Sequence, residues 1–477
     1  MLTYQDLLAV GESDKERMDF VRRVISQHQA SDLYKTAKIA DEYDRRQNRT
    51  IRNYQKLLYT VSGRAVPDNF SANFKIGSNY FNRFIVQENQ TLLANGVTFK
   101  NESTAKRLGD DFDTKMSMIG KYALSGGVCF GFFNLDHVEV FPVYSAILPS
   151  FAPLYDEESG QLSAGVRFWQ LDLEHPLRAT LYELEGYTDY IWREGKDGEV
   201  MKDRRPYIVR TTGDAADEAA GNLEYIGENY PTFPIVPLWG NFHRQSELIG
   251  LQEGIDCYDL IKSGFANTVD EASLIYWTIS NAGGMDDTDL VKFVEHMKTV
   301  KAAVVDDDGA SAESHSIEAP YASREAILNR LEKDLYRDAM AVNTDDIAAG
   351  NVTATQIRAA YDAHTSKVDQ YETCVIDFIQ GLLAIVGIED DPTFTRSQVA
   401  NETELISNVL QAAQYLEGGY VTRKLLQLLG DGDLADEMIA QMDADELERG
   451  RELQREAMNK DEPEEEETEE DEAGSGE

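Results

Sequence analysis

The chain has 477 residues, 42% of them hydrophobic, with ordinary Gly and Pro contents. That allows two or three packed units and excludes a fibrous or wholly disordered protein. The 86 Asp and Glu against 45 Lys and Arg give a formal net charge of −41, and residues 461–477 hold eleven acids and no base, so the remainder still stands at −30. Such a body repels phosphate on average: DNA is either no partner or one that must not be gripped. Cys129, Cys257 and Cys374 have no zinc-like spacing and an odd count, and read as small buried side chains in a reducing compartment. No apolar run has signal-peptide length or approaches the roughly 20 residues of a membrane span, so a soluble protein with no membrane partner, cytoplasmic where it is made, is expected.

Residues 1 to about 60 read as helical. Ser13 and Asp14 can cap a helix with Phe20, Val21, Val24 and Ile25 on its apolar face. A second helix covers about 31–47; its Arg45, Arg46 and Arg49 form a solvated face or an oligomer contact. Phe81, Phe84, Ile85 and Leu92 mark a helix over 78–95, stopped at Asn95-Gly96. Glu88 interrupts that stripe, so the stripe is expected to be incompletely buried. A further helix is predicted over about 103–124. From Gly126 to Pro237, segments such as VCFGFFN, VEVFPVY and YTDYIWRE, separated by turn residues, predict a mainly antiparallel β region on a helical base: an α+β domain.

Helices return over about 246–269 and 323–341, flanking a compact insert with the run LIYWTIS and the acidic turn DDDG. Ile357, Tyr361, His364, Val368, Tyr371, Val375, Phe378, Leu382 and Ile385 alternate spacings of four and three, which predicts one continuous helix over 353–386, on the order of 50 Å long. Shorter helices follow at about 402–416, 420–430 and 443–459. The last residues, EPEEEETEEDEAGSGE, cannot bury apolar surface and read as disordered.

Catalytic signatures are missing. There is no GxxxxGK[ST], no HExxH and no Cys/His cluster, and Ser125-Gly126-Gly127 lacks the GxSxG spacing and reads as a helix-to-strand turn. His364 lies on an apolar stripe and reads as a satisfied core histidine. Asp286, Asp287 and Asp289, like Asp306 to Asp308, read as solvated turns without EF-hand spacing. No enzyme, metal or cofactor is expected.

The order of elements carries more. NYFNRFIVQENQTLLANGVTF, KYALSGGVCFGFFN, FPIVPLWGNFHRQSELIGLQEGIDCYDLIKSGFANTVDEA and GNVTATQIRAAY, over about residues 30–430, resemble in sequence and order the portal family of tailed phages, of the siphophage type. The resemblance implies the α+β portal fold. Its wing would be residues 1–245, its stem helices 246–269 and 321–341 and its clip 270–320. A tunnel loop at 342–353, a long wing helix at 354–392 and a helical crown at 393–459 would follow, with a disordered acidic tail at 460–477. It further implies a homo-oligomeric ring, typically a dodecamer, assembled in the host cytoplasm and placed at the head vertex of the virion. Double-stranded DNA would be cargo. Partners would be terminase, major capsid and scaffolding proteins, and head-completion or adaptor proteins. Rival readings are another head connector or minor head protein, an enzyme with an unfamiliar site, or a plain scaffold.

Under that resemblance Asn343, Thr344, Asp345, Asp346, Asn351 and Thr353 belong to the tunnel loop. No Lys or Arg occurs between Arg337 and Arg358, so the loops would make a low-friction sleeve whose charge reaches roughly 8–10 Å at physiological salt. The competing reading has Asp345 and Asp346 capping a helix. Arg324, Arg330, Lys333, Arg337 and Lys262 belong to the stem, mixed with acids at spacings that allow pairs within or between subunits. Tyr276, Trp277, Asp286, Asp287 and Lys292 belong to the clip and its docking surface. An insert this small cannot bury its apolar run alone, so its strands are expected to pair with a neighbouring subunit.

Overall fold

The computed structural model describes residues 2–59, 63–69, 71–212, 224–272, 276–280, 288, 311–315, 321–344, 354–397, 409–416, 418–429, 438–442, 444, 449 and 451. It divides into two compact units, residues 1–350 with 359–397, and residues 351–358 with 398–477. Within the second, a 3₁₀ turn (Ala413–Tyr415) precedes a helix (Gly418–Leu429).

The first unit opens with helices α1 (Tyr4–Val10), α2 (Asp14–Ala30), α3 (Asp32–Asp44) and α4 (Arg49–Asn53). Thr3 and Asp6 form a reciprocal capping box on α1. Ser31 divides α2 from α3: its hydroxyl donates to the His28 carbonyl at 2.6 Å and accepts the Tyr34 N–H at 3.2 Å. A hairpin, β1 (Leu57–Tyr59) and β2 (Ala65–Pro67), leads to α5 (Tyr80–Leu93), β3 (Val97–Thr98), α6 (Glu102–Leu108) and α7 (Phe112–Gly126). The single helix expected over 103–124 is two, because Gly109 at φ 110° breaks the helical path between them.

Ten strands follow: β4 (Val128–Asn134), β5 (His137–Pro142), β6 (Ser150–Tyr155), β7 (Leu162–Trp169), β8 (Leu177–Glu183), β9 (Gly186–Trp192), β10 (Glu199–Arg205), β11 (Ile208–Thr212), β12 (Glu224–Glu228) and β13 (Ile235–Trp239). Strands β6 to β10 form a five-stranded antiparallel meander in sequence order, β13-β4-β5 a second sheet, and β11 pairs with β12. Phe20, Val21 and Val24 of α2 bury against Val166, Leu181 and Tyr190 of the meander. As the sequence predicts, Gly126-Gly127 is the helix-to-strand turn, with Gly127 at φ 90°.

The remaining elements are α8 (Gln252–Ala272), β14 (Tyr276–Ser280), β15 (Ser311–His315), α9 (Tyr321–Asp338), α10 (Ala354–Val386) and β16 (Thr393–Phe394). Helix α8 starts six residues later than expected: the Leu248 N–H is taken by the Ser246 hydroxyl, and 246–251 form tight turns. On α10, Tyr361, His364, Val368, Tyr371, Val375, Phe378, Leu382 and Ile385 are all buried, as their period predicts. Close approach needs glycine at Gly131, where a Cβ would enter the Phe378 ring, and at Gly120, where it would meet Tyr371 and Asn89. The main core joins α3, α5, α7, the β13-β4-β5 sheet, α8 and α10. The architecture is mixed helix and sheet, α+β.

Candidate functional site

Helices α8 and α9 run antiparallel. Gly254 lies against Leu335 at one end and Phe265 meets Tyr321 edge-on at 5.6 Å near the other. Arg324 crosses from α9 to α8, its guanidinium donating to the Gly264 carbonyl at 3.1 Å and to Thr268 at 2.6 Å.

The other side of α8 is held by polar side chains at four-residue spacing. Asp259, Ser263 and Asn267, all buried, accept the backbone N–H groups of Ser78 (2.8 Å), Ile76 (3.0 Å) and Phe74 (2.7 Å). Four helical residues advance about 6 Å and two extended residues about 6.6 Å. The periods match, and the extended segment 74–78 is strapped along the helix. Asn48 donates to the second Asp259 oxygen at 2.5 Å. Burial raises the Asp259 pKa, against these donors. One turn earlier Asp256 accepts from Tyr43 (2.5 Å) and Thr50 (2.7 Å). Burial, then the bond to Asp256, pushes the Tyr43 phenol up to about 12.

Helix α9 ends in a Schellman turn: Met340 N–H bonds the Arg337 carbonyl and Ala341 N–H the Tyr336 carbonyl. Met340, at φ 51°, occupies the left-handed position that favours glycine. The segment 339–344 leaving this turn is held by side chains of α5 and α10. Gln87 clamps Val342 at both its N–H and its carbonyl, 3.0 Å each. Arg83 donates to Thr344 at 3.2 Å. His364 Nδ1 lies 3.1 Å from the Met340 carbonyl, and Lys367 Nζ donates to the Ala339 carbonyl at 3.2 Å.

Lys367 also pairs with Glu88 at 2.8 Å and Glu247 at 2.7 Å. Glu88 is 2% exposed. Its stripe on α5 is therefore fully buried, contrary to the sequence expectation, because the carboxylate finds a cation instead of water. Burial, helped by Glu247 and opposed by Lys367, pushes the Glu88 carboxyl up to about 7. Burial disfavours the Lys367 ammonium, but the two carboxylates outweigh it and hold its pKa above the usual lysine range. His364 is buried, as expected, and burial lowers its pKa. Its Nε2 lies 3.0 Å from the Thr91 hydroxyl. A neutral ring donates from Nδ1 to the Met340 carbonyl, and the one Thr91 hydroxyl hydrogen faces both Nε2 and the Gln87 carbonyl, the latter at 2.7 Å.

The residues singled out in the sequence fall into distinct places. Arg324 is an interhelix tie. Arg330 and Arg337 both pair with Asp334 on their own helix, at 3.6 and 3.0 Å. They and the exposed Lys333 line one shallow depression on α9. Lys262 lies over the Tyr258 ring at 5.6 Å. Thr344 sits at the end of the clamped segment beside Asn343, which is half-buried. Asp345, Asp346, Asn351, Thr353, Asp286, Asp287 and Lys292 lie outside the described residues. Tyr276 and Trp277 lie on β14, which pairs in register with β15 of the same chain, Tyr276 opposite His315. The sequence leads to an expectation that the insert's strands pair with a neighbouring subunit; within the chain β14 and β15 pair with each other. Of the cysteines only Cys129 is buried; Cys257 is exposed and Cys374 intermediate.

Sequence reading passed over Gln87, Glu247, Asp259, Ser263, Asn267 and Lys367. The polar residues at 259, 263 and 267, four apart, were a usable signal; Lys367 carried none. Among the described residues no three metal-ligating side chains come together. No helix there is long and apolar enough to cross a membrane.

A family model described as phage portal protein, SPP1 Gp6-like, matches residues 14–452. The portal protein of Bacillus phage SPP1 is 21% identical over 455 residues, covering 87% of this chain and 84% of that protein. The portal protein of Clostridium phage phiCD119 is 25% identical over 234 residues, 45% of this chain; the match spans about half of that relative, 52% of its length. A chain from the virion of a native gene transfer agent particle aligns with TM-score 0.42 and 13% identity over 74% of this chain and 90% of its own. The chain belongs to the phage portal protein family, SPP1 Gp6-like.

Proposed function

We propose that this chain is one subunit of a closed ring, typically of twelve copies, at the unique vertex of a phage head, and that DNA enters and leaves through its bore. The match to portal proteins over residues 14–452 carries this reading. In this scheme α8 and α9 are the stem, the insert 270–320 between them is the clip, and 342–353 is the tunnel loop. Residues 1–245 with α10 form the wing, 393–459 the crown and 460–477 an acidic tail. The ring docks terminase during packaging and head-completion or adaptor proteins afterwards, with major capsid and scaffolding proteins around it.

The charge of −41 supports a wall that releases DNA quickly. Asp345 and Asp346 place like charge at the loop, and screening confines its reach to roughly 8–10 Å. Helix α9 adds no net positive charge to offset this: Arg324, Arg330, Lys333 and Arg337 are matched by Glu325, Glu332, Asp334 and Asp338.

Negative-stain imaging of the purified protein tests the ring. Annuli with a central hole are expected; monomers or dimers alone would remove the proposal. Asp345→Lys with Asp346→Lys tests the sleeve, with slowed packaging expected, and unchanged packaging and retention would end it. Deleting 283–308 should abolish motor docking.

A further inference from the structure

The root of the candidate tunnel loop is built unlike an ordinary helix exit. Three stretches of chain far apart in sequence converge on the ammonium carried by a fourth. Lys367 Nζ faces three oxygens: it pairs with Glu88 on α5 at 2.8 Å and with Glu247 in the β13–α8 connection at 2.7 Å, and donates to the Ala339 carbonyl at the end of α9 at 3.2 Å. The Lys367 side chain is 16% exposed, that of Glu88 3% and that of Glu247 15%.

Stability alone does not account for this cluster. Burying one cation with two carboxylates costs desolvation that an apolar trio would avoid. The cluster does fix a position. The Ala339 carbonyl belongs to the last turn of α9, where a helix has unpaired acceptors and a negative dipole end, and a cation there satisfies both. The next residue, Met340, holds a left-handed conformation that a β-carbon disfavours, and His364, one turn before Lys367, binds its carbonyl. Glu247 is itself fixed, its N–H on the Leu124 carbonyl and its second oxygen taking Asn241 at 2.7 Å. Glu88 sits one residue after Gln87, which clamps Val342. The ammonium thus ties the exit of α9, the entry to α8 and the α5 clamp to one point on α10.

We propose that Lys367 is the positioning residue at the root of the candidate tunnel loop: it locks residues 339–344 to α5 and α10 and ties the exit of α9 to the entry of α8. The loop assignment rests on the portal reading; the lock does not. If DNA drags on the loop, the load passes through Ala339 and Lys367 into α10 and the connection before α8, and not into the Schellman turn alone.

The test compares the full chain with Lys367→Met and with the neutral triple variant Lys367→Met, Glu88→Gln, Glu247→Gln, by site-resolved amide hydrogen exchange and thermal unfolding. The single variant leaves the buried Glu88 carboxylate beside the partly buried Glu247 and is expected to unfold early. The triple variant removes that repulsion and is expected to keep near-normal thermal stability. Its amides at Ala341 and Val342 should nevertheless exchange about tenfold faster or more, with β7 to β9 unchanged. Unchanged exchange at 341–342, or a rise of equal size in the β7–β9 sheet, would overturn the lock. Exchange is read on the purified chain whether or not rings form, so ring imaging of the wild type judges the portal reading separately. In a packaging assay the triple variant should then retain several-fold less DNA.

Discussion

The α2 face of the five-stranded meander and the junction where α5, α8, α9 and α10 meet are both buried, yet what pins their elements in place differs. In the meander each strand pairs with its neighbour in sequence, and the helix above it contributes Phe20, Val21 and Val24 to an apolar layer. The junction shares the apolar main core, with Leu335 and Tyr336 of α9 packed in it, and adds polar ties that join residues 88, 247, 339 and 367, and 78 and 259. Apolar burial is non-directional and supplies stability; buried polar pairs cost desolvation and fix geometry. The first region is therefore expected to be a platform, and the second to fix the position of the chain where it leaves α9.

Substitutions can break this contrast. Phe20→Ala empties a fully buried site and should cost about 3–5 kcal/mol, read by denaturant unfolding; a cost under about 1 kcal/mol would deny the apolar layer its role. Lys367→Met should destabilise by a similar amount, about 3–5 kcal/mol, because it strands the buried Glu88 carboxylate beside the partly buried Glu247. Unlike the Phe20 loss, this one should be largely recovered by neutralising Glu88 and Glu247, and no recovery would blur the distinction between the regions.

Acid should weaken the meander side through His28. Its Nε2 donates to the Val143 carbonyl at 3.3 Å, and burial lowers its pKa to about 4. Below pH 6.5 the unfolded chain takes a proton that the folded one refuses, so this stability is complete above pH 6.5 and lost as pH falls towards 4. The loss is about 3 kcal/mol. In His28→Phe that pH dependence should be absent, and an identical acid profile would show that His28 is not its source. The smallest effect concerns the strap: Ser263→Ala leaves the Ile76 N–H unpaired and should cost about 1 kcal/mol, with faster exchange confined to 74–78.

The sequence was a good guide to the platform. The aromatic and β-branched runs between Gly126 and Pro237 became strands, and the four-three alternation from Tyr361 to Ile385 became the buried face of α10. It took Glu88 to leave its stripe incompletely buried, where the stripe is buried, and it set Arg324 among acids that allow pairs within or between subunits, where it crosses to α8. No local rule reveals that a carboxylate at 88 will meet an ammonium at 367.

Periodicity determined which elements form and which faces are apolar, because burial repeats with the helix turn or the strand pleat and is written within a dozen neighbouring residues. The order of those elements also sufficed for the family resemblance. Tertiary structure alone decided the partners of the buried charges, the ladder from Asp259 to Asn267, and the tethering of 339–344. Ion pairs and hydrogen bonds act over about 3 Å, and only the completed fold brings residues hundreds of positions apart within that reach.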